Sequence, residues 1–131
     1  MTWFNANLSN SGGGGGSVYS CTCLWDYVND NSGTIPFGTY NFTLSQSINS
    51  FDDILIVLKS HANDSGDWNS TTQHYVNVIA LNNNPMHANY VTITSFSQRA
   101  SAFNIVGTTF NKYKDNESNI NGLVAVYGIK Y

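Results

Sequence analysis

The chain has 131 residues, close to the usual size of one domain, and only 10% of them are charged, against about 25% in an average soluble protein. Five Lys and Arg residues against eight Asp and Glu residues give a net charge of −3. This charge argues against a nucleic-acid partner, because phosphate binding needs a dense basic surface. Membrane insertion is not expected either, since no apolar run approaches the roughly 20 residues of a spanning helix.

The polarity of the chain comes mainly from uncharged side chains, with 19 Asn, 15 Ser and 11 Thr residues beside eight Tyr and seven Phe. Asn and Ser favour turns, whereas Thr, Tyr and Phe favour strands. The composition therefore favours a domain of strands and turns.

Five consecutive glycines at positions 12–16 interrupt the N-terminal part of the sequence. Such a run costs much backbone entropy to order, which is typical of a tether. We therefore predict a flexible N-terminal segment at residues 1–17 and a folded domain at residues 18–131. The aromatic pair Trp3 and Phe4 leaves open the alternative that this segment docks on a neighbouring chain.

Cys21 and Cys23 are the two cysteines, and they lie two positions apart in the first predicted strand. Residues at this spacing point to the same face of a strand, where a disulfide between them would be strained. We predict two free thiols, and a metal pair completed by other ligands remains an open alternative.

From residue 18 onward, apolar residues recur with a period of two and are separated by turn-forming segments. About seven or eight short antiparallel strands at this spacing predict an all-β fold, a jelly-roll-like β-sandwich. We predict strands at 18–28, 39–44, 53–60, 73–81, 90–98, 101–113 and 123–131, with 101–113 either one strand or a bent pair about Gly107.

Two stretches carry a resemblance to a known module: TLSQSINSFDDILIVLK at 43–59 and INGLVAVYGIKY at 120–131. With Leu24-Trp25, they resemble the C-terminal knob domain of bacteriophage tail fibre and receptor-binding proteins, over about residues 23–131. The resemblance implies a β-sandwich knob, commonly a homotrimer, that contacts a host surface and often a cell-wall saccharide. It also implies a virion location, extracellular after host lysis, with other virion proteins as partners.

Two polar loops offer candidate saccharide contacts, since long loops at the ends of a sandwich often carry recognition. In the loop at 61–72, Trp68 could stack on a sugar ring while Asp64 and Asp67 bind its hydroxyl groups. The turn at 82–89 supplies His87 and a run of asparagines. We predict Trp68, Asp64, Asp67 and His87 as ligand-binding residues, with no metal and no cofactor.

Enzymatic activity is not expected from the sequence. Asp52 and Asp53 are adjacent and would point to opposite faces of a strand, and the sequence contains no nucleophile elbow or zinc-protease motif. Two hypotheses follow. Either the domain is a receptor-binding domain that recognises a host saccharide, or it is a structural virion protein, such as a capsid fibre, plug or trimerisation domain, with no receptor contact.

Overall fold

The computed structural model describes residues 5–9, 18–30, 33–60, 71–94, 100–113 and 121–131. Within these ranges the chain forms nine β-strands, the five-residue α-helix Val78–Asn82 (α1) and a 3-10 helix at Ile48–Ser50. The strands are β1 Asn5–Ser9, β2 Val18–Asp26, β3 Tyr40–Thr43, β4 Asp53–Ser60, β5 Thr71–Asn77, β6 Tyr90–Thr94, β7 Ala100–Val106, β8 Thr109–Lys112 and β9 Asn121–Lys130.

The strands form two antiparallel sheets that enclose an apolar core between them. The first sheet has the strand order β1-β2-β9-β4-β5 and the second has the order β3-β8-β7-β6. Core side chains come from both sheets. The all-β antiparallel sandwich predicted from the sequence is therefore confirmed, with nine strands within the described ranges.

The pairing of the early strands with the late strands resembles that of a jelly roll. β2 pairs with β9 in one sheet and β3 pairs with β8 in the other, so early strands meet late strands in both layers. The middle of the chain instead pairs locally, in the hairpins β4–β5 and β6–β7, and β7 pairs in turn with the next strand, β8. Each hairpin contains an edge strand, and an open cleft lies between those two edges, β5 and β6.

A stack of aromatic rings fills one side of the core. The Trp25 indole, only 1% exposed, stacks on Phe42 at a centroid distance of 4.6 Å, and Phe42 stacks on Phe110 at 4.8 Å. The indole N–H of Trp25 donates to Asp30 Oδ2 over 2.6 Å. The largest buried side chain of β2 therefore has both apolar contacts across the sandwich and a satisfied polar atom.

β4 is buried on both of its faces, which explains its continuous apolar sequence. Ile54, Ile56 and Leu58 face the core between the sheets. Leu55 and Val57 point to the opposite face, where they pack with Ala125, Val124 and Tyr127 of β9 in a second apolar cluster. A strand buried on both sides loses the apolar-polar alternation that marks a surface strand.

The two stretches that carry the family resemblance lie side by side in the first sheet. The backbone N–H of Asp52 donates to the carbonyl of Ile129 over 2.8 Å. The ring of Phe51 covers Gly128, where an added Cβ atom would lie 2.5 Å from the ring. A glycine is needed at this position because the aromatic ring occupies the space of a side chain.

Two segments differ from the sequence-based prediction. Asn5–Ser9, within the predicted flexible segment, forms β1 and pairs with β2, so the sheet begins before the predicted boundary at residue 18. The predicted strand at 73–81 ends at Asn77, where α1 begins. Asn77 Oδ1 accepts the N–H of Ala80 over 2.9 Å, which is the N-cap contact that starts a helix.

Both cysteines are free thiols in the structure, as predicted. Burial raises the pKa of Cys23 to about 12, and its hydrogen bond to Asp26 contributes to this rise in pKa. Burial also raises the pKa of Cys21. Because the thiolate is the reactive form, Cys23 is chemically inert at neutral pH and acts as a core residue.

Candidate functional site

The sequence-predicted site residues fall into two groups in the structure. Trp68, Asp64 and Asp67 lie outside the described residues. His87 lies in the connection between α1 and β6, where its side chain is exposed. Its ring contacts Tyr90 with the ring centroids 3.8 Å apart. Among the predicted residues, His87 is therefore the one that can be placed beside a concave surface.

That surface is an open cleft of about 300 Å³ between β5, α1 and β6. Its volume is at the low end of the range for small-molecule sites. The described residues that line it combine two tyrosines, two asparagines and aliphatic side chains: Tyr75, Val76, Asn77, Ala80, Leu81, Asn84, Tyr90 and Val91.

The cleft exists because the chain changes from strand to helix at Asn77. Besides capping α1, the Asn77 side chain donates from Nδ2 to Asp53 Oδ1 on β4 over 3.2 Å. Val78 and Leu81 are buried and hold α1 against the core. The helix thus turns the chain away from the line of β5 and leaves an opening beside the start of β6.

Hydrogen bonds hold the connection from α1 to β6 in shape. Asn89 has a positive φ of 67° and donates from Nδ2 to Asn82 Oδ1 over 2.7 Å and to the carbonyl of Ile105 over 3.0 Å. Asn84 Oδ1 accepts the N–H of Met86 over 3.0 Å. Because Met86 N–H can only donate, this contact fixes the orientation of the Asn84 amide. Asn84 lines the cleft, and within the described residues its recorded side-chain hydrogen bond is the one that Oδ1 accepts, which leaves Nδ2 available as a donor.

Two tyrosine rings stand at the cleft. Tyr75 is 62% exposed on the edge strand β5. Tyr90 lies between His87 and Tyr113, and its ring is nearly parallel to that of Tyr113, with an interplanar angle of 3° and centroids 6.1 Å apart. The two phenol oxygens of that pair are 3.3 Å apart. Tyr90 is thus held in place, whereas the ring of Tyr75 is open to solvent.

Of the polar residues that line the cleft, the sequence analysis pointed to Asn84, within the run of asparagines at 82–84, and did not single out Tyr75, Asn77 or Tyr90. Tyr75 and Tyr90 fit the period-two strand pattern, which gives no indication of a cleft. The signal that could have shown it is Asn77, a helix-capping residue within an otherwise apolar segment.

The described residues offer neither a metal cluster nor a membrane-spanning helix. No group of three or more His, Cys, Asp or Glu side chains in that part of the chain is placed to hold a metal ion. None of its helices has the length and apolar character needed to span a membrane.

Comparison with known proteins does not assign the chain to a family. No protein-family model matches the chain, and no curated protein matches it. The cleft and the resemblance to phage knob domains are therefore the two grounds for a function.

His74 lies on the core-facing side of β5, opposite Ile56, and it predicts a pH dependence of stability. Its buried Nε2 atom has no hydrogen-bond partner among the described residues, and burial lowers the pKa of His74 from 6.5. The unfolded chain then binds a proton more readily than the folded one. The stabilising effect of neutral His74 is complete above pH 6.5 and is lost as the pH falls towards the lower pKa of the folded state.

We expect His74→Leu to reduce the loss of stability between pH 7 and pH 5, because the buried imidazole no longer has to be protonated. Urea unfolding across this pH range measures the effect, and His87→Leu at the exposed histidine is the matched control. Equal pH slopes for His74→Leu and the unaltered protein would contradict the prediction.

Proposed function

We propose that this domain is the receptor-binding, host-attachment domain of a bacteriophage virion, and that it recognises a host cell-surface saccharide in the cleft between β5, α1 and β6. The observation that supports the proposal is the combination of tyrosine rings and asparagine amides in one open concavity. The proposal moves the centre of the site from the predicted loop at 61–72 to this cleft, with His87 at its rim. Trp68, Asp64 and Asp67 stay predictions as further contacts.

Saccharide recognition uses the same two types of contact that the cleft offers. An aromatic face packs on the apolar C–H face of a sugar ring, and fixed amides exchange hydrogen bonds with its hydroxyl groups. Tyr75 presents an open ring, and Asn84 presents a fixed amide. A cleft of about 300 Å³ suits one or two sugar rings of a longer glycan. The resemblance to phage knob domains supports the same class of ligand.

We further propose that the domain works as a homotrimer on the virion, beside other virion proteins. A shallow cleft binds one saccharide weakly, and display of three linked clefts raises the overall affinity by orders of magnitude. The resemblance supports three chains. In this arrangement the domain acts without enzymatic activity and outside the cell, after release by host lysis.

The alternative is a structural virion protein whose surfaces contact only other virion proteins. It is favoured by large apolar side chains at the surface, since such residues often mark protein interfaces. Ile79 is 72% exposed and Met86 is 92% exposed, both close in sequence to residues that line the cleft. The two functions differ in whether the isolated domain binds cells.

A fusion of the whole chain to a fluorescent protein tests the proposal on a panel of Gram-positive and Gram-negative bacteria. We expect the fusion to bind the surface of a subset of strains, whereas the fluorescent protein alone does not. Periodate, which cleaves the vicinal diols of sugars, should remove the binding, and protease treatment of the cells should leave it intact.

The reverse pattern, loss with protease and survival after periodate, would contradict a saccharide receptor. Failure to bind any strain of the panel would overturn the attachment function and favour the structural alternative.

A further inference from the structure

The charges around the cleft restrict the saccharide that it can accept. None of the described residues that line the cleft is ionisable near neutral pH, because the polar ones are asparagines and tyrosines. Proteins recognise the phosphate, sulfate or carboxylate groups of acidic glycans chiefly through Arg and Lys. The described lining lacks both.

No Lys residue within the described ranges lines the cleft, and the imidazole of His87, which contacts Tyr90 at the rim, is the basic group placed beside it. Lys112 is fully buried and donates to the carbonyl of Gly38 over 2.7 Å. Lys130 lies 3.7 Å from Asp52 in an ion pair. Lys59 lies six residues along β4 from Asp53, which is about 20 Å at the rise of a strand. Arg99 and Lys114 lie outside the described residues.

The nearest carboxylate to the lining makes the rim of the cleft negative. Asp53 accepts from Asn77 Nδ2 over 3.2 Å and from the Tyr131 hydroxyl over 2.8 Å, and both donors are neutral groups. The hydrogen bond to Asp53 is the main reason that the pKa of Tyr131 is raised to about 12. The phenol of Tyr131 therefore stays neutral where it contacts Asp53. An anionic sugar would be repelled at this rim.

The Asn84 amide offers the cleft a neutral donor, which can bind an uncharged sugar oxygen without an ion pair. Asn84 Oδ1 is occupied by Met86 N–H, which leaves the two Nδ2 hydrogens for a ligand. Each of these hydrogens can be donated to a separate hydroxyl or acetamido oxygen of a sugar, neither of which brings a charge.

We infer that the receptor is an uncharged saccharide, held by stacking on Tyr75 and by donation from the Asn84 Nδ2 group to a sugar oxygen. The inference rests on the proposed attachment function and adds the class of sugar to it. By this inference, acidic polymers such as sialylated glycans and phosphate-linked wall polymers bind this cleft more weakly than neutral sugars do. Binding then involves no ion pair and does not depend on salt.

A glycan array probed with the whole chain gives the first test. We expect the bound glycans to be neutral, with hexoses or N-acetylhexosamines at the contact, and less than a twofold change in signal between 50 mM and 500 mM NaCl. Sialyllactose and glycerol phosphate serve as anionic probes in saturation-transfer NMR. A preference for either anionic probe over neutral sugars, or a tenfold loss of binding at high salt, would overturn the inference.

Asn84→Asp tests the donor role directly. Aspartate keeps an oxygen that accepts Met86 N–H and replaces the donating amide with a negative acceptor. We expect at least a tenfold loss of affinity for the best neutral glycan, and a smaller loss for Asn84→Ala. Asn41→Asp introduces the same charge at an exposed position of β3 and should leave affinity unchanged. Equal affinity of Asn84→Asp and the unaltered protein would overturn the assignment of Asn84.

The outcomes separate the inference from the function on which it rests. Periodate-sensitive binding to cells, together with an anionic array profile, would overturn the neutral class and leave the attachment function standing. Absence of binding both to cells and to the array would overturn the attachment function itself.

Discussion

Replacing Trp25 with alanine is expected to lower the free energy of unfolding by about 3–5 kcal/mol, as is typical for removal of a buried aromatic side chain. The change removes the stack on Phe42 and leaves a cavity between the two sheets. It also removes the donor to Asp30, and within the described ranges this leaves the Asp30 carboxylate with the longer hydrogen bond from the Tyr40 hydroxyl at 3.4 Å. A loss of this size is a large part of the total stability of a small domain.

Thermal and urea unfolding followed by circular dichroism measure this effect. Trp25→Phe, which keeps a ring but loses the indole N–H, should fall between the alanine variant and the unaltered protein. Val28→Ala is the matched control, because Val28 is 59% exposed and its truncation should change stability by less than about 0.5 kcal/mol. A Trp25→Ala protein as stable as the Val28→Ala control would show that the aromatic stack does not support the fold.

Tyr75→Ala is expected to reduce cell adsorption about a hundredfold or more while leaving the fold intact. Tyr75 is 62% exposed, so its removal costs little core contact. Loss of one ring contact weakens a single cleft by on the order of 1 kcal/mol. When three linked clefts bind together, the three losses add to about 3 kcal/mol, which is more than two orders of magnitude in affinity.

The measurement compares adsorption to cells with binding of a free saccharide in solution. Adsorption to cells reports the linked clefts, whereas titration with a free saccharide reports one cleft and should show a loss of about tenfold or less. Tyr75→Phe keeps the ring and should bind nearly normally, and Val106→Ala, at a 50% exposed residue of β7, controls for truncation of a surface side chain. Light scattering on the same samples gives the number of chains. Normal adsorption by a trimeric, folded Tyr75→Ala protein would place the site elsewhere. A monomeric mass would show that the clefts are not linked in threes, so the expected hundredfold loss would not apply.

The sequence was sufficient for the strands whose side chains alternate or are uniformly apolar. β4 was predicted with its observed bounds, because a short apolar run with β-branched residues between polar turns is typical of a buried strand. The pair β7–β8 was anticipated by the alternative of a bend about Gly107, which has a φ of 58° in the turn between them. These features depend on local sequence, and local sequence was enough to predict them.

The cleft could not be predicted because it depends on where distant segments meet. Tyr75 and Tyr90 belong to strands of different sheets, and only the packing of those sheets brings them to one opening.

The helix α1 is not predicted from sequence because Val78 and Leu81 fit a strand buried on both faces as well as a buried helix face. The segment that forms β1 is predicted to be flexible from sequence because it is short and polar and precedes five consecutive glycines. His87 lies exposed in the connection beside the cleft, and its role in ligand binding stays a prediction.

The central position of β9 has a consequence for the order in which the domain can assemble. β9 lies between β2 and β4, so neither strand gains its inner partner until all the other strands have been synthesised. Until then, β4 presents an unpaired edge and apolar residues on both faces, which is a hazard for aggregation on the ribosome. Closing a pair as distant in sequence as β2 and β9 is also slow, because the loop entropy is lost before the contacts form. The yield of soluble protein should therefore depend strongly on temperature and chaperone supply during synthesis, even though the finished sandwich is well packed.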